Sequence, residues 1–255
     1  MAPFYCVRQR AGPLVKECRA LRPRLCQDDD PWERRDKQAI IKSPHSAVCR
    51  SQADRLELRL ALFGYDGMHY TMTFDTEHLP RDFRGVRKAW RAFYERAKRW
   101  HGGPFDWIYA IEGLHGDHRY HTHCVLRYSD FSPEEVRALW RYGAVDDEPV
   151  LRMRIRRDPQ TGQAIRMCDG GYRRLAEYLT KERTDGIWIP VGRHPWSCSR
   201  TLTAQLPEPE RWKDDQCRIE IPNGVIWSTR NSVENSFGAY YFASYIEEKP
   251  ELLFR

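Results

Sequence analysis

The sequence contains no long apolar run. A membrane-spanning helix needs about twenty consecutive apolar residues, and the N-terminus lacks the hydrophobic core of a signal peptide. We therefore expect a cytoplasmic protein that makes no membrane contact. The sequence also has no internal repeat and no Gly-x-x-x-x-Gly-Lys-Ser/Thr loop, so the chain carries no helicase ATPase of its own.

The eight cysteines include no Cys-x-x-Cys pair. A structural zinc knuckle therefore has no local spacing to support it, and a disulfide framework is not expected without a secretory signal. We expect free thiols. One alternative stays open, a zinc site near the N-terminus built from Cys18, Cys26, His45 and Cys49.

The amino-acid composition is that of a folded, mildly basic protein. Of 255 residues, 41% are hydrophobic and 13% aromatic, which excludes a disordered chain and suffices for one core with an appended subdomain. Lys and Arg exceed Asp and Glu by 42 to 36, for a net charge of +6. This balance is compatible with nucleic-acid binding without being diagnostic of it.

Two histidines, His121 and His123, are separated by one residue. On a β-strand such residues point to the same face, so both imidazoles can converge on one point. Glu112 ends the apolar run 107–111, and a hairpin would bring its carboxylate beside the imidazoles. The three groups suit a divalent cation. The alternative is a pair of surface histidines on a half-exposed strand.

A second motif is Tyr178 with Lys181, one helical turn apart. Arg174, Tyr178 and Lys181 share a helix flank beside an apolar stripe. The stripe consists of Tyr172, Leu175, Ala176 and Leu179. In isolation this pattern is typical of a tyrosine at the core edge with a solvated lysine, and only the preceding histidine motif favours a functional pair.

Together these motifs resemble those of the HUH endonucleases, and more narrowly the rolling-circle replication initiator (Rep) proteins of bacterial plasmids, phages and integrative elements. The resemblance covers about residues 55–205 and includes the tract Trp196–Arg200. Its three ordered motifs are the alternating strand with Thr71 and Thr73; the set Glu112, Gly113, Arg119, His121 and His123; and the helical pair Tyr178 and Lys181.

The resemblance implies a nickase that cuts and rejoins single-stranded DNA. His121, His123 and Glu112 would hold Mg²⁺ or Mn²⁺, Tyr178 would attack the phosphate, and Lys181 would assist. The products would be a covalent 5′-phosphotyrosine and a free 3′-hydroxyl. The implied partners are single-stranded or cruciform origin DNA, with a host helicase and DNA polymerase. The rivals are an inactive DNA-binding regulator of the same fold and a related transposase or relaxase.

The chain departs from the family pattern at two positions. Thr122 stands between the histidines, where the family usually has a bulky apolar residue; facing away from the cation, it should matter little. Arg174 stands where some relatives carry a second tyrosine, which implies a single-tyrosine mechanism. Tyr172 remains a second candidate, more than half a turn out of phase.

The expected fold is α+β, with a central antiparallel sheet of about five strands flanked by helices, similar to an HUH/Rep endonuclease with an RRM-like core. Helices are expected near 55–63, 81–100 and 132–142, the last with a capping box from Ser132 and Glu135. The expected domains are an arginine- and proline-rich leader (1–54), extended or short-helical; the endonuclease domain (55–205); and a C-terminal β-rich extension packed on the core (206–255).

Arginines that recur on strands and helices are candidates for DNA contact. Residues 151–156 alternate strictly, which predicts a strand with one apolar face and one arginine face, and 164–167 can return as its hairpin partner. A second hairpin is predicted from 218–221 and 225–227. The candidate DNA-binding residues are Arg119, Arg152, Arg154, Arg156 and Arg174.

Overall fold

The computed structural model describes residues 4–21, 44–113, 119–157, 159–160, 162, 164–180, 196–235 and 238–248, without the side chains of 44–51 and 235. Lys181 lies outside these residues, as does Cys26; of the alternative zinc ligands, only the Cys18 side chain is described. Within the described part, no helix combines the length and hydrophobicity needed to cross a bilayer.

The described elements comprise five α-helices and twelve strands. The helices are α1 (Pro44–Ala61), α2 (Phe83–His101), α3 (Pro133–Leu139), α4 (Gly171–Thr180) and α5 (Arg200–Ala204). The strands are β1 (Phe4–Ala11), β2 (Leu14–Leu21), β3 (Gly67–Thr73), β4 (Ile108–Glu112), β5 (His121–Arg127), β6 (Val145–Pro149), β7 (Met153–Arg157), β8 (Ala164–Cys168), β9 (Trp196–Cys198), β10 (Glu210–Asp214), β11 (Val225–Asn235) and β12 (Gly238–Glu247).

Five strands form an antiparallel sheet in the order β6-β3-β5-β4-β9, which we call the central sheet. The strand with the two histidines is its middle strand. The α+β class and the five-stranded antiparallel sheet are therefore confirmed. Alternate residues of each strand face opposite sides, so the sheet contributes to two separate hydrophobic clusters.

One face of the central sheet is covered by α2 and α3. Val86, Trp90 and Phe93 of α2 pack there with Tyr70 and Leu126 of the sheet. The predicted helices exist with slightly different ends. Asp82 caps α2 at its start, and the predicted capping box of Ser132 and Glu135 begins α3.

The opposite face of the central sheet packs on α1 and α4. Ile108 and Val125 of the sheet join Leu56 of α1 and Ala176 of α4 in this core. A buried carboxylate links the two helices: Glu57 lies 2.6 Å from Lys16 Nζ and 3.6 Å from Arg173 on α4. Helix α1 starts well before the predicted residue 55, at Pro44.

A second antiparallel sheet joins the two ends of the chain in the order β10-β1-β2-β12-β11, which we call the terminal sheet. Its hairpin of β1 and β2 replaces the extended or short-helical state expected for the start of the leader. The strand pattern was not recognised in β2 because charged residues occupy buried positions there. Glu17 and Arg19 are 3% and 7% exposed and form an ion pair at 2.8 Å. The predicted hairpin of 218–221 with 225–227 is wrong, because β11 pairs with β12 instead.

Strands β7 and β8 form a two-stranded ribbon. This hairpin was predicted, and β7 keeps the predicted alternation, with Met153 and Ile155 on one face and Arg154 and Arg156 on the other, although Leu151 and Arg152 precede the strand. Met167 lies opposite Arg154 and Ile165 lies opposite Arg156, so both faces carry mixed side chains.

Candidate metal centre and tyrosine

The central sheet brings Glu112, His121 and His123 together at one end of one face. Glu112 on β4 is the cross-strand neighbour of His121 on β5. Its Oε2 lies 2.8 Å from His123 Nε2 and 3.3 Å from His121 Nε2. The candidate ligand atoms of the three residues all lie within 4.8 Å of one another. The hairpin predicted from the sequence thus brings the carboxylate and the two imidazoles together at one point.

The donor set fits a divalent cation. Two imidazole nitrogens and one carboxylate oxygen leave further positions for water or a phosphate oxygen, and this mixture suits a borderline ion such as Mn²⁺. His123 is 2% exposed and Glu112 17% in their side chains, so the centre lies at the edge of the core. His121, at 26%, is the ligand nearest to solvent.

Gly113 allows the strand to end directly after Glu112. Its φ is 94°, and a Cβ there would lie 2.6 Å from the carbonyl oxygen of Arg119. Any side chain would push apart the two ends of the connection between β4 and β5. Glycine therefore keeps Glu112 beside the histidine strand.

A chain of hydrogen bonds behind His123 was not predicted from the sequence. His69 Nε2 lies 3.0 Å from His123 Nδ1, and His69 Nδ1 lies 3.1 Å from Glu148 Oε1. Thr71 Oγ1 also lies 3.4 Å from His123 Nδ1. His69 could have been identified as a neighbour of the site from its position in β3. It precedes Thr71 by two residues and Thr73 by four, so its side chain lies on the same face of the strand as theirs.

The direction of this chain suits the His123 tautomer that can ligate a cation. The hydrogen bond with His69 holds the pKa of Glu148 below its usual range, so this carboxylate is ionised and accepts from His69 Nδ1–H. With a cation bound, His69 Nε2 would accept from His123 Nδ1–H and the His123 Nε2 lone pair would be free for the cation, whereas without a cation Nε2–H can donate to Glu112 Oε2 at 2.8 Å. A histidine that ligates a cation through Nε2 needs the first of these two arrangements.

Burial lowers the pKa of His123 to about 4, and the hydrogen bond that the protonated imidazole donates to Glu112 only partly offsets this effect. His123 is therefore neutral at neutral pH. A neutral imidazole is the form that ligates a cation.

Tyr178 lies beside the imidazoles on the exposed flank of α4. Its ring is 41% exposed and stands edge-on to that of His123, with centroids 5.3 Å apart. The predicted stripe of Tyr172, Leu175, Ala176 and Leu179 is buried and anchors the helix on the sheet. Tyr178 is thus held at the centre with its ring accessible.

Tyr172 does not qualify as a second nucleophile. It is fully buried, its hydroxyl has no hydrogen-bond partner in the described part of the chain, and burial raises its pKa well above the usual value. Its phenol is neutral and unreachable. Within the described residues, Tyr178 is the tyrosine whose ring contacts His123.

The other predicted residues divide into two groups. Arg152 and Arg174 line a cavity of about 350 Å³ together with His69, Thr71 and Tyr178. Thr73 donates to the carbonyl oxygen of Ala144, and Arg119, which is exposed, offers its carbonyl oxygen to His121 Nδ1 at 3.4 Å. Arg154 and Arg156 lie on the ribbon and do not line that cavity.

Comparison with protein-family models, with curated proteins and with solved structures finds no match for this chain.

Proposed function

We propose that the protein is a metal-dependent DNA nickase and strand transferase of the HUH class, acting as a rolling-circle replication initiator. The observation that carries this proposal is the contact between Tyr178 and His123, whose Nε2 shares Glu112 Oε2 with His121. A nucleophile and a cation site within one contact of each other are the two components that cleavage of a phosphodiester requires.

His121, His123 and Glu112 would hold Mg²⁺ or Mn²⁺. Such a cation neutralises and orients the scissile phosphate when bound. His69 and Glu148 would then hold the His123 ring in the tautomer that presents Nε2 to this position. The carboxylate of Glu112 lies opposite both imidazoles and completes the set.

Tyr178 Oη would attack the phosphorus atom. The new bond is Oη–P, and the bond that breaks joins phosphorus to the 3′ oxygen, so the products are a 5′-phosphotyrosine and a free 3′-hydroxyl. The phenolic proton replaces phosphorus on the leaving oxygen. A second 3′-hydroxyl attacking the phosphotyrosine reverses the step and joins strands. The step exchanges one phosphodiester for another, so no ATP is needed.

The substrate would be single-stranded DNA or the loop of a cruciform origin. The phosphate must contact both Tyr178 and the cation, and a base-paired strand exposes less of its backbone to such a recess. Arg152 and Arg174 line the same cavity, where Arg152 pairs with Glu148 and Arg174 with Asp169. In a bacterial cell the freed 3′-hydroxyl would prime a host DNA polymerase, with a host helicase separating the strands.

The proposal is tested with a random library of end-labelled single-stranded oligonucleotides and Mn²⁺. We expect shortened products with free 3′-hydroxyl ends, and no products when EDTA is added. A His121→Ala variant should give none at the Mn²⁺ concentration that supports wild-type cleavage, whereas His78→Ala, which changes an exposed histidine outside the centre, should cleave normally. Metal-independent cleavage, or equal cleavage by His121→Ala, would contradict the proposal.

A further inference from the structure

The ribbon of β7 and β8 exposes apolar side chains to solvent. Ile155 is 73% exposed, Ile165 43% and Met167 42%. Within the described part of the chain, the two strands pair only with each other. Several exposed aliphatic residues on one small element indicate an interaction site.

The charged residues of the ribbon indicate which kind of partner it can bind. Its ten strand residues include four arginines and no acidic residue; the arginines are Arg154, Arg156, Arg157 and Arg166. Arg154 pairs with Asp169, and Arg166 lies 3.8 Å from Glu248. Among the described residues, Arg156 and Arg157 form no ion pair. A second ribbon would oppose like charges, whereas a polyanion complements them.

The shape of the ribbon fits a DNA groove. Five residues per strand give a length of about 16 Å, and a two-stranded ribbon enters a major groove about 12 Å wide. Each apolar residue lies across from an arginine, as Ile155 does from Arg166. Either face can therefore contact phosphates with its guanidinium groups and sugars or thymine methyl groups with its apolar side chains.

The base of the ribbon adjoins the cavity beside Tyr178. Asp169 N donates to the carbonyl oxygen of Arg152, and the Asp169 carboxylate pairs with Arg174 on α4 at 3.3 Å. Two glycines, Gly170 and Gly171, then lead directly into the helix of Tyr178. Arg152 and Asp169 also line the cavity at Tyr178, so the ribbon and the cavity form one continuous surface.

We infer that the ribbon is an arm that binds double-stranded DNA and holds a duplex stem next to the single strand at Tyr178. The face that carries Arg156, Ile165 and Met167 enters the groove, where Arg156 contacts a backbone phosphate and the two apolar side chains pack. The identity of the strand at Tyr178 rests on the proposed function; the binding of a duplex by the ribbon does not. The duplex stem and the nick site would then occupy separate parts of one surface, the stem at the ribbon and the nick site at Tyr178.

The test measures fluorescence anisotropy with two labelled probes: a hairpin with a stem of about ten base pairs and a single-stranded tail, and the tail alone. Wild-type protein should bind the hairpin more tightly. Each phosphate contact contributes about tenfold in affinity at 0.1 M salt, so Arg156→Gln should weaken hairpin binding about tenfold and lower the salt slope by about one. Ile165→Ser, on the same face, should weaken hairpin binding with little change in slope.

The matched control is Arg230→Gln, an exposed arginine of the terminal sheet, which should bind the hairpin as wild type does. All the changed side chains are exposed, and circular dichroism with thermal unfolding verifies that each variant is folded. Wild-type hairpin affinity in the ribbon variants would overturn the inference. So would an oligomer, detected by light scattering, that the ribbon variants abolish, since the ribbon would then bind a second copy.

The same wild-type sample, given Mn²⁺ and the single-stranded library, separates this inference from the proposed function. Hairpin binding through the ribbon without cleavage of any strand would refute the nickase and leave the arm standing. Cleavage together with ribbon variants that bind the hairpin normally would refute the arm and leave the nickase standing.

Discussion

The ring of Tyr178 stands edge-on to the ring of His123, with centroids 5.3 Å apart and planes at 82°. The two residues come from different elements, α4 and β5, so the contact is created by packing of the helix on the central sheet. It joins an exposed phenol to a buried imidazole that shares a carboxylate oxygen with a second imidazole.

Removal of one ligand should abolish tight metal binding. We expect Mn²⁺ to bind the wild-type protein at one site in calorimetry, and His121→Ala or Glu112→Gln to weaken it by more than about a hundredfold. His121 and Glu112 are only partly buried, so both variants should remain folded. Normal Mn²⁺ affinity in either variant would show that the cation binds elsewhere.

The pair of His69 and Glu148 should position the metal ligand His123. Replacing Glu148 by Gln removes the anionic acceptor that fixes the His69 tautomer, and we expect Mn²⁺ affinity to fall about tenfold to a hundredfold. The matched control is Asp147→Asn on the same strand, which pairs with Arg137 instead and should keep wild-type affinity. If Glu148 had only a structural role, Glu148→Gln and Asp147→Asn would change Mn²⁺ affinity to the same extent. Equal Mn²⁺ affinity in the two variants would therefore contradict the positioning of His123 by Glu148.

His123 should make stability dependent on pH. Its folded-state pKa of about 4 lies below the ordinary 6.5, so the unfolded chain binds a proton between these values and the folded chain does not. The free energy of unfolding of the metal-free protein should therefore fall as the pH drops from about 6.5 to 4. Urea titrations in EDTA at several pH values measure this slope.

A His123→Asn variant should lose part of that pH dependence, whatever its stability at neutral pH. His78→Asn, at an exposed position, serves as the control and should keep the wild-type slope. An unchanged slope in His123→Asn would mean that other groups cause the acid sensitivity.

Thr122 should be replaceable by valine with a gain in stability. Its side chain lies between the cross-strand neighbours Met72 and Ile111 and is fully buried. Its hydroxyl has no hydrogen-bond partner in the described part of the chain, and burial of such a group costs about 1–3 kcal/mol. We expect Thr122→Val to raise the free energy of unfolding by about 1 kcal/mol in urea denaturation. A destabilised variant would indicate that the hydroxyl has a partner.

The metal cluster could be predicted from the sequence because its signals are local. His121 and His123 are two residues apart, so their side chains lie on the same face of β5. Glu112 is the last residue of β4, the strand that pairs with β5. The stripe that anchors α4 follows the helical period in the same way. These patterns need no knowledge of distant partners.

His69 and the terminal sheet could not be predicted in this way. His69 meets His123 at a sequence separation of 54 residues, and β1 pairs with β10 near the other end of the chain. In β2, Glu17 and Arg19 are buried because they pair with Arg8 and Asp214, so charged residues occupy positions that normally indicate solvent exposure. Only the tertiary structure reveals that these charges lie inside.

The most direct test of the nickase is to locate the covalent link between protein and DNA. Wild-type protein is incubated with Mn²⁺ and the single-stranded library, digested with trypsin and nuclease, and analysed by mass spectrometry. The account predicts a nucleotide-modified peptide whose phosphate is bonded to Tyr178. The adduct should be absent in Tyr178→Phe and present in Tyr128→Phe, which removes another exposed phenol. An adduct on a different residue, or cleavage that persists in Tyr178→Phe, would contradict the account.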